Sequence, residues 1–97
     1  MNMQAMMQQA QKIQKEIVKV KSEVEAKTFT SSKSFVEISV NGKKEVLKIK
    51  INNDDFKKED IELLEDLIMV CLNDVFNKVD REIESKLGKY NLDALGF

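Results

Sequence analysis

Residues 38–51 read ISVNGKKEVLKIKI. An Asn41-Gly42 pair interrupts a run in which apolar and charged residues alternate, and a period of two marks a half-buried strand. Asn-Gly is the strongest short-range hairpin signal, because both central residues of a type I′ turn take positive φ. Val36, Ile38 and Val40 then share one face of a first strand, and Leu47, Ile49 and Ile51 one face of a second. A two-residue loop would pair Val36 with Leu47, and a four-residue loop would pair Ile38 with Leu47. Both keep the apolar sets together, whereas a three-residue loop would set them on opposite faces. The other face carries Phe35, Glu37 and Ser39 across from Lys44, Val46, Lys48 and Lys50. Lysines there suit the solvated side of a half-buried sheet and discourage edge-to-edge pairing. They would equally suit an anionic partner.

Working outward, the apolar positions Met3, Met6, Ala10, Ile13, Ile17, Val20 and Val24 alternate spacings of three and four. That heptad pattern predicts a helix over residues 3–24 whose narrow seam packs on another helix rather than lying on the sheet. KTFTSSK (residues 27–33) offers strand formers followed by polar turn residues, a short edge strand. NNDDFKKED (residues 52–60) is a polar link into a second long helix over residues 58–87. Glu59 and Asp60 stand in its first turn, where they suit the helix dipole. LIMVCL (residues 67–72) is apolar all round and is expected to be buried under the sheet and the other helix. Beyond it Val75, Val79, Ile83 and Leu87 form a narrow stripe, Gly88 is a natural stop, and residues 89–97 form a short tail. The chain reads as one α+β domain, residues 1–97, in the order α-β-β-β-α, with a three-stranded antiparallel sheet.

Composition removes much chemistry. The chain of 97 residues has no histidine, so the commonest general base and metal ligand is missing. Its one cysteine, Cys71, lies in an apolar run and reads as a small buried hydrophobe. Gly-rich phosphate loops, Cys-x-x-Cys and Gly-x-Ser-x-Gly are absent from the sequence. We therefore expect no enzyme, no cofactor, no metal and no small-molecule substrate. No apolar run approaches the roughly 18 residues that cross a bilayer, and the Gln-rich start lacks the pattern of a signal peptide. The expected place is the cytoplasm, with no membrane partner.

The near balance of 16 basic and 17 acidic residues hides a polarity along the chain. Residues 27–52 hold six lysines against two glutamates, while residues 53–66 hold two lysines against seven acidic groups. Lys12, Lys15 and Lys19 stand three and four apart on the first helix, away from its seam. Lys78 and Arg81 flank the stripe of the second, with Lys86 and Lys89 towards its end. Fifteen of the sixteen cations are lysine. Lysine is a point-charge contact for phosphate, whereas arginine forks onto guanine, so a nucleic-acid partner would be bound through its backbone with weak sequence preference. The ordinary alternative is a set of solvated faces.

MQAMMQQAQKIQKEI (residues 3–17), SVNGKKEVLKIKI (residues 39–51) and EDIELLEDLIMVCLNDV (residues 59–75) resemble the YbaB/EbfC family of bacterial nucleoid-associated proteins. KLGKYNLDALGF (residues 86–97) is similar in place to that family's closing segment. The resemblance implies a homodimer whose helices project like the arms of tweezers and bind double-stranded DNA at the nucleoid through the first and last helices. Carried onto this chain, the implied contacts are Lys12, Lys15, Lys19, Lys78, Arg81, Lys86 and Lys89, with Lys44, Lys48 and Lys50 secondary. Departures from the family pattern are TSSKS for a Gly-rich stretch, Lys57-Lys58 for an Asp-Pro helix start, and a tail without Gly- and Pro-rich character. A different reading of helix-hairpin-helix is a protein-interaction module, either a prefoldin-like chaperone arm or an adaptor using the acidic head of the second helix.

Overall fold

The computed structural model describes residues 2–90. The elements are α1 (Met3–Ala26), β1 (Thr28–Lys33), β2 (Val36–Asn41), β3 (Val46–Ile51) and α2 (Ile61–Leu87), with 3-10 turns at Lys58–Asp60 and Gly88–Tyr90. The expected α-β-β-β-α order holds; of the expected tail, residues 91–97 lie outside the described residues. Asn2 caps α1, its side-chain oxygen accepting the Gln4 N–H at 3.0 Å. At the head of α2, Asp60 Oδ2 accepts the Lys57 N–H at 3.0 Å. A carboxylate reaching back thus supplies half of a capping box where the Lys57-Lys58 start offers no side-chain acceptor.

The sheet is antiparallel in the order β1-β2-β3. Ser31 to Lys33 are strand rather than turn: β1 runs to Lys33, which pairs with Val36 across a two-residue turn whose Ser34 takes φ 52°. The second turn also differs from expectation. Lys44, not the Asn41-Gly42 pair, takes the left-handed conformation (φ 62°), and its N–H donates to the Asn41 carbonyl at 2.9 Å. Asn41 Oδ1 accepts the N–H groups of Lys43 and Glu45, so the asparagine serves as the turn's side-chain acceptor.

Three residues, Gly42 to Lys44, are enclosed, the length that should split the apolar sets. A bulge undoes the split: Ser39 pairs with Lys48 and Val40 with Val46, leaving Leu47 as the extra residue. Val36 therefore opposes Ile51 and Ile38 opposes Ile49, in neither of the expected registers. Val46, expected on the outer face, stands opposite the buried Val40. Gly42 is needed for close approach. A Cβ built on it would lie 1.9 Å from the Val24 carbonyl oxygen, so the hairpin tip sits directly on the end of α1.

α2 packs across β1 and β2. It runs opposite to β1: Cys71 Sγ donates to the Ser31 carbonyl, Lys78 Nζ to that of Thr30, and Lys27 Nζ to Glu82. The core under it is Val24, Val36, Ile38, Val40, Cys71, Val75 and Val79, with Val20, Phe29, Leu64, Leu67, Ile68 and Ile83 partly buried around it. Cover stops short of β3. Directly opposite residues share a face, yet Ile49 and Ile51 are 48% and 44% exposed while Ile38 and Val36 are buried.

Two expectations about the helices hold only in part. In LIMVCL Cys71 is buried and Leu67, Ile68 and Leu72 pack against the core, but Met69 and Val70 stay exposed, because α1 meets α2 near its other end, where Lys89 and Tyr90 contact Glu16. Among the described residues the α1 seam is likewise covered over its second half, with Ile17 and Val24 buried and Met3 and Met6 exposed. The result is an elongated body of 69 × 20 × 16 Å with the first half of α1 projecting from it.

Gly42→Ala should lower the unfolding free energy by about 2 kcal/mol and the melting temperature by roughly 10 °C, since backbone must give way. Gly88→Ala should be nearly neutral, because its Cβ would meet only the movable Glu84 side chain. Equal shifts for the two in thermal denaturation would contradict the close-approach account.

Candidate nucleic-acid interface

The α1 row is the simplest part. Helical spacing places Lys12, Lys15 and Lys19 along one side of the projecting helix over about 10 Å. Lys15 and Lys19, with Gln11, Gln14 and Val18, line one shallow groove. Neither makes an ion pair or hydrogen bond within the described residues. Lys12 lies towards Glu16 and shares a cleft with Lys89 and Tyr90, so the middle of α1 is tied there to the turn that follows α2.

The cations of α2 are held differently. Lys89 Nζ lies 3.4 Å from Glu16, whose other oxygen accepts the Tyr90 hydroxyl. Those bonds hold the Glu16 carboxyl below its usual range and push Lys89 and Tyr90 up. Lys86 lies 3.1 Å from Glu82, which also takes Lys27 at 2.7 Å. Lys78 and Arg81 each lie 3.9 Å from Asp74, and Lys33 lies 3.6 Å from it. The Asp74 carboxyl is held down chiefly by the Ser31 hydroxyl, which donates to it at 2.6 Å, with Lys33 and Lys78 adding to the effect.

The strand lysines separate into two kinds. Lys48 and Lys50 stand opposite Ser39 and Glu37 on the face away from α2. This is the solvated side that alternation predicts. Lys44 is in the turn, 2.7 Å from Asp80 of α2.

The predicted contacts thus fall in separate places rather than one: the α1 row, the Glu16 cleft, the β1 edge, the outer sheet face and, for Lys44, the hairpin turn. Two cations at the β1 edge, Lys27 and Lys33, escaped the sequence reading. The reading of Ser31 to Lys33 as turn residues hides Lys33; as a strand residue opposite Val36 it stands on the face that α2 covers. Among the described residues no cluster of carboxylate or thiol side chains is arranged to hold a metal.

With this geometry in view, the comparisons are specific. A family model described as the YbaB/EbfC DNA-binding family matches residues 1–94. A nucleoid-associated protein of Enterococcus faecalis is 35% identical over 98 residues, covering 99% of this chain and 94% of the relative. Another, from Mycoplasmopsis pulmonis, is 40% identical over 90 residues, 90% of each. The crystal structure of an uncharacterized protein from Helicobacter pylori superposes with a TM-score of 0.69 at 23% identity over 99% of both chains, a likeness of fold.

The depressed carboxyls give a direction for pH. Asp74, Glu82 and Glu16 lose protons more readily folded than unfolded, so below about pH 4 the unfolded chain binds more protons. The stability they contribute is present at neutral pH and is lost as the pH falls through their folded values. Melting temperature should fall modestly as the pH drops below about 4, and Ser31→Ala should flatten that fall while lowering stability at neutral pH. An acid limb unchanged by Ser31→Ala would contradict the role given to its hydroxyl.

Proposed function

The chain belongs to the YbaB/EbfC DNA-binding family, and on that footing we propose that it acts as a homodimer binding duplex DNA at the nucleoid, through lysine–phosphate contacts with weak sequence preference. The observation that carries this reading is the α1 row. Lys12, Lys15 and Lys19 are exposed on a helix that meets the sheet only at its C-terminal end. A rigid row of point charges neutralises backbone phosphates and reads no base edges, which matches a protein with one arginine among sixteen cations. The names of the relatives, nucleoid-associated proteins, support the same setting.

The bare face of β3 supports the dimer. Val46, Ile49 and Ile51 are uncovered, as are Ile61, Met69 and Val70 on the first half of α2. Apolar surface of this extent on a small chain marks a contact with another protein surface. A second copy brings a matching apolar face by symmetry and adds buried area that a chain this short lacks. Two copies also set two lysine rows at a fixed separation, which raises affinity by making the second contact intramolecular. No catalytic step is part of this reading.

One observation favours a chaperone-like reading instead: Met3, Met6 and Met7 are 76%, 51% and 58% exposed near the tip of α1. Flexible methionines suit promiscuous apolar contacts. At about 36 Å, however, α1 is short for an arm that must enclose a client.

Titration of a labelled random-sequence duplex by fluorescence anisotropy, repeated across salt concentrations, tests the DNA reading. The account expects log K to fall linearly with log salt, by about 0.9 for each phosphate neutralised, with similar affinity for unrelated sequences. Lys12→Glu with Lys15→Glu should weaken binding with helicity intact. No binding by the parent protein at low salt would overturn the reading, and unaltered affinity in the double variant would remove the α1 row from it.

A further inference from the structure

The two edges of the sheet differ in kind. β3 is flanked by uncovered apolar side chains, whereas β1 is flanked by cations. Lys33, Lys78 and Arg81 converge on the single carboxylate of Asp74, at 3.6, 3.9 and 3.9 Å. Lys27 and Lys86 converge on Glu82, at 2.7 and 3.1 Å. Three cations about one anion leave the Asp74 cluster net positive, whereas Glu23 also acts on Lys27 and balances the pair about Glu82. The clusters lie about 12 Å apart along α2, eight residues at the helical rise, which is three to four axial phosphate spacings of one strand.

The clusters are ordered rather than diffuse. Asp74 takes its short hydrogen bond, 2.6 Å, from the buried Ser31 hydroxyl. It is therefore fixed in place without being consumed by any one cation. Lys78 Nζ is anchored on the Thr30 carbonyl at 2.7 Å, which also blunts this edge as a template for strand pairing. The side chains of Lys33, Lys78 and Arg81 remain 40%, 44% and 69% exposed, so their charges face solvent at a defined spot. Cations held in place lose less freedom on meeting an anion than a loose lysine does.

We propose that the β1 edge is a second duplex-backbone contact surface, in which Lys27 and Lys33 act with Lys78, Arg81 and Lys86 on DNA phosphates. This rests on the DNA-binding reading above and moves part of the contact from the helix arms to the sheet edge. If the second copy docks at β3, the β1 edge of each protomer faces outward, on the far side of the sheet from the dimer contact. DNA held by the α1 row of one protomer then has a second positive surface to lie against.

The test is anisotropy with a random-sequence duplex across salt, on full chains carrying Lys27→Gln with Lys33→Gln, Asp74→Asn, or Lys57→Gln with Lys58→Gln as a charge-matched control. The first should shallow the slope of log K against log salt by about 0.9 per lysine in each protomer, with the circular dichroism unchanged. Asp74→Asn keeps an acceptor for Ser31 and removes a negative charge from the cluster. It should tighten binding, where a merely structural Asp74 would leave binding unchanged or weaken it. A Lys27/Lys33 variant that behaves like the control, alongside a Lys15→Gln with Lys19→Gln variant that loses slope, overturns this proposal and leaves the DNA reading standing. A parent protein that binds no duplex at low salt overturns both.

Discussion

α2 covers two strands of a three-stranded sheet, and most of what is distinctive in the molecule depends on that. Val36, Ile38 and Val40 disappear beneath the helix while their cross-strand partners Ile51, Ile49 and Val46 remain open on the same face. One helix, with side chains about 10 Å across, spans roughly two strands spaced near 4.8 Å. A second helix could cover the third strand, but α1 is committed elsewhere. Its last turns are fixed on the hairpin tip through Gly42, and Glu16 is tied to Lys89 and Tyr90 at the end of α2. The sheet is thus left with one apolar flank that the described part of the chain does not fill.

The same arrangement gives the molecule its sidedness. Anchoring only the second half of α1 lets the first half project, and Lys12, Lys15 and Lys19 stay exposed across the middle of the helix. The hydrogen bond from Ser31 to Asp74, and the ion pairs around Asp74 and Glu82, tie α2 to β1 and gather cations at that edge. Individual exposed ion pairs contribute little to stability, on the order of 0–1 kcal/mol. Their significance here is placement: they set positive charge opposite the apolar flank, so that self-association and binding of an anionic polymer need not compete for one surface.

Element order was legible in the sequence because each element has a strong periodic signal. The heptad of α1, the alternation around Asn41-Gly42 and the Val75, Val79, Ile83, Leu87 stripe are all of this kind. Register was not. It turned on Lys44 entering the left-handed region and on the bulge at Leu47, and neither residue type announces such a conformation. In LIMVCL, Leu67, Ile68, Cys71 and Leu72 face the core while Met69 and Val70 do not. Hydropathy reports that a segment avoids water without saying whether its own chain or another surface covers it. Spacing alone puts the α1 lysines on one side of a helix. It does not place Lys27 and Lys33, whose neighbours Glu82 and Asp74 are more than forty residues away in sequence and adjacent only once α2 packs on β1.

On this reading a second copy docks on the open face of β3. Sedimentation equilibrium of the parent chain beside Ile49→Lys is the test, because Ile49 is half exposed in a single chain and a lysine there disturbs a lone protomer little. The parent should show twice the chain mass, and the variant the mass of one chain with unchanged helicity. A parent protein that sediments as a single chain, or a variant that remains a dimer, would contradict it.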